Sequence, residues 1–115
     1  MQLHFTFRHV EPSEGIKNYA TEKISKMQKY LRSPLDADLI FSMERHLHCV
    51  EILMRADGER YAGKVESDDM YASIDLVIDK LDRQVRDRKD EANDRKRHAG
   101  GVSQLSGKRG NVPGA

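Results

Sequence analysis

The sequence predicts an α+β protein of two layers, in which a four-stranded sheet carries two helices on one face. Four short segments alternate apolar and polar residues, which is the period of a strand with one buried face. Two longer segments repeat apolar residues every three or four positions, as an amphipathic helix does. The segments follow in the order β-α-β-β-β-α, which suits two packed layers.

The first strand and the first helix occupy the N-terminal third of the chain. Residues 2–8 alternate and predict the strand, whose apolar positions are Leu3, Phe5 and Phe7. Ser13 is a favoured helix N-cap, so a helix is predicted over residues 14–32. Its apolar stripe is Ile16, Tyr19, Ala20, Ile24, Met27 and Leu31. Pro34 is expected to end this helix, because the residue before a proline disfavours helical dihedrals.

Three more strands are predicted in the middle of the chain. Their apolar positions are Ala37, Leu39, Phe41 and Met43 in the second, Val50, Ile52, Met54 and Ala56 in the third, and Tyr61, Gly63 and Val65 in the fourth. The second strand is expected to run to Arg45. Asp57 and Gly58 predict a tight hairpin between the third and fourth strands, because both residues accept a positive φ.

The last helix is predicted to begin at the cap Asp68-Asp69 and to continue in charged form to about His98. Its buried stripe is Ile74, Val77, Ile78, Leu81 and Val85. Beyond it the chain is polar and rich in glycine and serine. We therefore predict one α+β domain over residues 1–98 and a disordered tail over residues 99–115.

The charges are distributed unevenly along the chain. Residues 1–79 hold ten basic and fourteen acidic side chains, whereas residues 80–115 hold ten and five. A basic end on a protein whose formal net charge is only +1 suggests a polyanionic partner. A solvated helix followed by a disordered tail would leave the same imbalance.

Cysteine content and the N-terminal segment indicate the cellular compartment. Cys49 is the single cysteine, so no internal disulfide framework exists, which favours a reducing environment. The first residues contain no long apolar run, and we expect neither a signal peptide nor a membrane span. The sequence therefore predicts a soluble cytoplasmic protein.

Catalytic motifs are missing from the sequence. No nucleophile elbow, phosphate-binding glycine loop or H-E-x-x-H pair occurs. Asp75, Asp79 and Asp82 share one region of the last helix, where acid–base chemistry and solvated intrahelical ion pairs are the two alternatives. Neighbouring cations favour the ion pairs; these cations are Lys80, Arg83 and Arg86. We expect no enzyme activity and no catalytic residue.

His46, His48 and Cys49 are the only group that resembles metal ligands. Neighbouring strand residues point to opposite faces, so these three side chains do not converge. They are expected at the hairpin between the second and third strands. The sequence predicts no metal, no cofactor and no small-molecule substrate.

Basic side chains recur on the outer surfaces of both helices. The candidate phosphate-binding residues are Lys23, Lys26, Lys29, Lys80, Arg83, Arg86, Arg88 and Lys89. Rigid helices hold such charges at fixed intervals, and two helices on one face would present a basic groove between and beside them. The alternative is that these cations only keep amphipathic helices soluble.

The segment from Asp69 to Val85, DMYASIDLVIDKLDRQV, resembles the D-M-Y-x-A-I-D-x-x-I-D-K-L-x-R-Q-L motif of ribosome hibernation promoting factors and the related ribosome-associated inhibitor. The segment 19–31, YATEKISKMQKYL, and the residues Met43-Glu44-Arg45 are also similar to that family. The resemblance covers about residues 1–91, and it is to the short form, which lacks the second domain that long-form members use to pair ribosomes.

The resemblance implies a fold similar to double-stranded RNA-binding domains and a function on the small ribosomal subunit. Family members bind its rRNA at the decoding region and exclude messenger and transfer RNA, repressing translation under stress or in stationary phase. Lys23, Lys80, Arg83 and Lys89 match basic positions of the family.

This chain departs from the family at Asp87 and Glu91, where relatives often carry lysine. Tyr71 in the motif is expected to pack rather than to face RNA. We expect the free protein to be a monomer. The alternative function is a general double-stranded RNA-binding protein or RNA chaperone without preference for ribosomes.

Overall fold

Four strands and two helices follow one another in the predicted order. A computed structural model describes the backbone of residues 1–98 and the side chains of residues 1–89; the predicted tail, 99–115, lies outside the described residues. The elements are β1 (Gln2–Arg8), α1 (Glu14–Ser25), a 3₁₀ helix (Lys26–Tyr30), β2 (Asp36–Glu44), β3 (Leu47–Ala56), β4 (Glu59–Ser67) and α2 (Met70–His98). The strand order in the sheet is β1-β2-β3-β4, with β1 parallel to β2 and the other neighbours antiparallel.

One face of the sheet is apolar across all four strands. The strand pairing aligns these side chains in rows, such as Phe7, Phe41, Val50 and Val65. The ring of Phe41 stacks on that of Phe7 with 5.0 Å between centroids. The apolar stripes of both helices belong to the same buried cluster, so both helices cover this one face, as predicted.

The first helix begins as predicted but ends earlier. The hydroxyl of Ser13 accepts a hydrogen bond from the backbone N–H of Ile16 at 3.2 Å, which caps α1. The α-helix stops at Ser25 and tightens into the 3₁₀ helix, so the prediction of one α-helix over 14–32 was wrong. The side chain of Gln28 explains the change, because it bonds the segment that turns toward β2. Its amide group donates to the carbonyl of Ser33 and accepts from the N–H of Leu35.

Both hairpins use two residues with positive φ. Arg45 and His46 turn the chain between β2 and β3 with φ of 50° and 67°. Asp57 and Gly58 turn it between β3 and β4 with φ of 55° and 75°, which confirms the predicted hairpin. The carboxylate of Asp57 also accepts a hydrogen bond from the backbone N–H of Ser33 at 2.7 Å, which ties this hairpin to the end of the 3₁₀ helix.

The second helix is fixed to the sheet at its start. The carboxylate of Asp69 accepts a hydrogen bond from the backbone N–H of Ala72 at 3.0 Å, which confirms the predicted cap. The buried hydroxyl of Ser73 donates to the carbonyl of His48 on β3 at 2.7 Å. Residues 1–85 form one compact unit, and a second unit begins at Arg86 inside this helix.

Candidate nucleic-acid interface

Within residues 1–85 the predicted phosphate-binding side chains fall into two separate sets. Lys23 lies on α1, and Lys26 and Lys29 follow it on the 3₁₀ helix. Lys80 and Arg83 lie on α2. The first set lines a groove between the two helices, whereas the second lines a groove between α2 and β4. The structure therefore divides what the sequence grouped together.

The groove between the helices has a basic wall and an acidic wall. Its volume is about 240 Å³, and its lining residues are Lys23, Lys26, Met27, Lys29, Tyr30, Ile78, Asp79 and Asp82. The predicted basic groove between the helices is thus wrong in one respect: α2 contributes carboxylates to it, not cations. Lys80 and Arg83 of α2 lie on its other flank, beside β4.

Lys23 is already engaged inside the protein. Its ammonium lies 3.8 Å from a carboxylate oxygen of Asp75 and 5.2 Å from the ring centre of Tyr19. The hydroxyl of Tyr19 donates a hydrogen bond to the same oxygen at 2.7 Å. This bond and burial raise the pKa of Tyr19 above its ordinary value. Asp75 therefore joins the two helices, and its expected role in an intrahelical pair was wrong.

Tyr71 packs against α1, as expected. Its ring meets that of Tyr19 edge to face, with 5.0 Å between the centroids. A Cβ on Gly15 would lie 3.1 Å from the Tyr71 hydroxyl, so glycine permits the close approach of the two helices there. Tyr71 as a whole remains 41% exposed.

The groove between β4 and α2 is the larger one, at about 480 Å³. Its lining residues are Lys64, Val65, Glu66, Leu76, Asp79, Lys80 and Arg83. Lys64 was missing from the sequence-based candidates. The signal that could have found it is the strand alternation, which places Lys64 opposite in phase to Tyr61, Gly63 and Val65 and so away from the core.

Several cations in residues 1–85 form no close ion pair with any side chain that the structure describes. Lys26, Lys64, Lys80 and Arg83 form no hydrogen bond, ion pair or cation–π contact with the side chains that the structure describes. Lys29 lies 5.2 Å from the ring centre of Tyr30. Cations that form no close ion pair inside the protein remain available to an external anion.

The other predicted cations belong to the second unit. Arg86 and Arg88 are exposed and Lys89 is half-buried. Arg86 and Arg88 each make a further contact within the protein. Their proposed contact with RNA stays a prediction.

The residues that resemble metal ligands are separated. His46 lies in the hairpin turn, while His48 and Cys49 are successive residues of β3 and point to opposite faces. Over the part of the chain that the structure describes, no three His, Cys, Asp or Glu side chains are arranged to hold a metal ion. No helix in the described residues is long and apolar enough to cross a membrane.

Comparison with known proteins identifies the family. A family model described as "Sigma 54 modulation protein / S30EA ribosomal protein" matches residues 3–93. This chain belongs to that family. The ribosome hibernation promoting factor of Pseudomonas putida is 30% identical over 91 residues, which cover 79% of this chain and 89% of that protein. The factor of the same name from Escherichia coli K12 is 32% identical over 91 residues, 79% of this chain and 96% of that protein.

Solved structures confirm the fold of this family member. The N-terminal domain of Thermus thermophilus Protein Y is similar with a TM-score of 0.72 and 25% identity, covering 76% of this chain and 99% of that one. A ribosomal subunit interface protein from Coxiella burnetii is similar with a TM-score of 0.69 and 22% identity, covering 78% and 99%. The resemblance found in the sequence and the predicted fold class are therefore confirmed.

Proposed function

We propose that this protein is a ribosome hibernation factor that represses translation. It binds rRNA of the small ribosomal subunit at the decoding region and blocks messenger and transfer RNA, under stress or in stationary phase. The observation that carries the proposal is the family match over residues 3–93, together with relatives named ribosome hibernation promoting factor. A ribosomal partner implies a cytoplasmic location.

The position of the unpaired cations in residues 1–85 supports a phosphate-rich partner. Cations without a counter-ion among the described side chains line both grooves of this unit, and each such cation can neutralise a phosphate and release a condensed counter-ion. They stand on two helices and a strand that share one core, so their spacing is fixed before binding. A rigid array of this kind suits folded RNA, whose phosphates are also held at fixed positions.

We also propose that the protein acts by occupancy and not by catalysis. An occupying protein inhibits at one copy per ribosome, leaves rRNA intact and competes with the ligands whose volume it fills. An enzyme that damaged rRNA would inhibit at far below one copy per ribosome. Stoichiometry and rRNA integrity therefore separate the two mechanisms.

The deciding experiment is competition with transfer RNA on purified small subunits. We expect subunits preloaded with messenger RNA and a transfer RNA in the peptidyl site to resist the protein, and empty subunits to bind it. Cell-free translation should be inhibited at about one copy per ribosome, with rRNA uncut. Stable binding of the protein and a peptidyl-site transfer RNA to one subunit would refute occlusion.

A second competitor tests the preference for ribosomes. Double-stranded RNA of unrelated sequence, added in excess, should leave subunit binding largely unchanged if the protein is specific. Complete displacement by that RNA at matched phosphate concentration would favour a general double-stranded RNA-binding protein instead.

The proposed free state is a monomer. The free edge of β4 is partly closed, because the side-chain amide of Gln84 bonds the backbone of Ala62. A partly closed edge offers a second chain fewer backbone groups than a fully open one. Sedimentation velocity at several protein concentrations should show a single monomeric species.

A further inference from the structure

The edge of the sheet at β4 carries backbone groups that lie beside the cations of the groove between β4 and α2. β4 is the last strand, and its partner β3 lies on one side only. The side-chain amide of Gln84 on α2 accepts a hydrogen bond from the N–H of Ala62 at 3.2 Å and donates one to its carbonyl at 2.7 Å. Both backbone groups of Ala62 therefore point away from β3.

The next outward N–H along this edge is that of Lys64. In an antiparallel pair the backbone groups of alternate residues point to the same side, so Lys64 repeats the direction of Ala62. Gln84 occupies the edge at Ala62, and no backbone or side-chain group that the structure describes occupies it at Lys64. A hydrogen-bond donor is thus left on the edge beside α2.

Three cations surround this stretch of the edge. Lys64, Lys80 and Arg83 line the groove of about 480 Å³ between β4 and α2. All three are exposed, and none has a counter-ion among the described side chains. The carboxylates of the same groove are Glu66 and Asp79. Cations therefore outnumber carboxylates there by one, and the backbone N–H adds a directed donor.

We propose that this groove binds one phosphodiester phosphate of rRNA, with Lys64 as a contact residue beside Lys80 and Arg83. The inference rests on the proposed function and adds to it a strand residue and the edge of the sheet. Backbone N–H groups and cations together are the usual partners of phosphate oxygens. The groove between the helices also has three cations and two carboxylates, but it suits a phosphate less well because one of its cations, Lys23, is already engaged by Asp75.

The test compares two cations of the same strand. Lys64→Gln removes the charge in the groove and keeps most of the side-chain stem. Arg60→Gln is the matched control, since Arg60 lies four residues before Lys64 on β4, is exposed and points to the same face, but does not line the groove. Binding of each variant to purified small subunits is measured from low to high salt. Thermal unfolding checks that both remain folded.

We expect Lys64→Gln to lower the magnitude of the log–log salt slope by about 1 and to weaken binding several-fold at low salt. Arg60→Gln should leave the slope unchanged. Lys64→Gln and Lys80→Gln should combine non-additively, because both would contact one phosphate.

Each other outcome contradicts a stated claim. Equal slopes for Lys64→Gln and the unsubstituted protein, with subunit binding intact, would overturn the inference and leave the proposed function standing. Equal decreases of the slope for Lys64→Gln and Arg60→Gln would also overturn the inference, because the slope would then depend on the total charge of the protein and not on this groove. Failure of the unsubstituted protein to bind subunits would overturn both the inference and the proposed function.

Discussion

Replacing Lys26 by glutamine is expected to weaken the salt dependence of subunit binding, whereas the same replacement of Lys23 is not. The two residues are neighbours on the same side of the protein and differ in their surroundings. The ammonium of Lys23 lies 3.8 Å from Asp75, and its side chain is 31% exposed. Lys26 is exposed and has no partner among the described side chains. Lys26 is therefore the one available to a phosphate.

The expected size of the difference follows from counter-ion release. A phosphate contact contributes about 0.9 to the slope of log affinity against log salt concentration. If Lys26 makes one contact, the unsubstituted protein should lose about 3.5-fold more affinity than Lys26→Gln between 50 and 200 mM salt. Lys23→Gln should follow the unsubstituted protein, because its charge is shared with a carboxylate in the folded state.

The assay is a titration of labelled protein with purified small subunits at four or more salt concentrations. Thermal unfolding of both variants serves as the control for folding. Equal slope changes for Lys23→Gln and Lys26→Gln would refute the reasoning, because the Asp75 contact would then not decide which lysine meets RNA. A larger change for Lys23→Gln would refute it more strongly.

Two further predictions concern the fold. Leu81 is fully buried and Leu76 is 48% exposed. Leu81→Ala should therefore lower the free energy of unfolding by about 2–5 kcal/mol, whereas Leu76→Ala should change it by less than about 0.5 kcal/mol. Urea denaturation measures both values, and equal losses would contradict the placement of α2. In the folded protein the pKa of Tyr19 is raised, mainly by its hydrogen bond to Asp75. The stabilisation of the fold by protonated Tyr19 is therefore fully present below the unfolded-state pKa near 10, and it is lost as the pH rises through the higher pKa of the folded state. The stability difference between the unsubstituted protein and Tyr19→Phe should therefore shrink above about pH 10, and a difference that grows with pH would contradict this sign.

The strands and the start of each helix could be predicted because their signals are local. The alternation of apolar and polar residues predicted β1 at the residues where it lies. The side chains of Ser13 and Asp69 cap the two helices by accepting from backbone N–H groups only three residues later in the chain. The end of α1 could not be predicted in this way. It depends on the side chain of Gln28, which bonds backbone groups five and seven residues later in the chain.

The candidate site was predictable in its residue types but not in their grouping. A helical sequence shows that Lys80 and Arg83 share a surface, but it does not show what lies opposite. Asp75 is bonded to Tyr19, which lies 56 residues away in sequence. No local sequence pattern therefore shows that Lys23 interacts with Asp75. Lys64 was missed because a single lysine on the exposed face of a strand is usually only a solvated residue. The sequence does not show that α2 lies beside it.

Gly63 shows how packing, and not charge, sets the position of the proposed phosphate site. A Cβ at this residue would lie 3.1 Å from a methyl carbon of Val77 and 3.8 Å from the Cβ of Lys80. Glycine therefore allows α2 to approach β4 closely, and any larger side chain presses on the stretch of helix that carries Lys80. The distance from Lys80 to the edge N–H of Lys64 thus depends on a residue with no side chain. The positions of the basic residues in the sequence do not show how closely α2 approaches β4. The groove could therefore be found in the structure but not from the pattern of Lys and Arg residues.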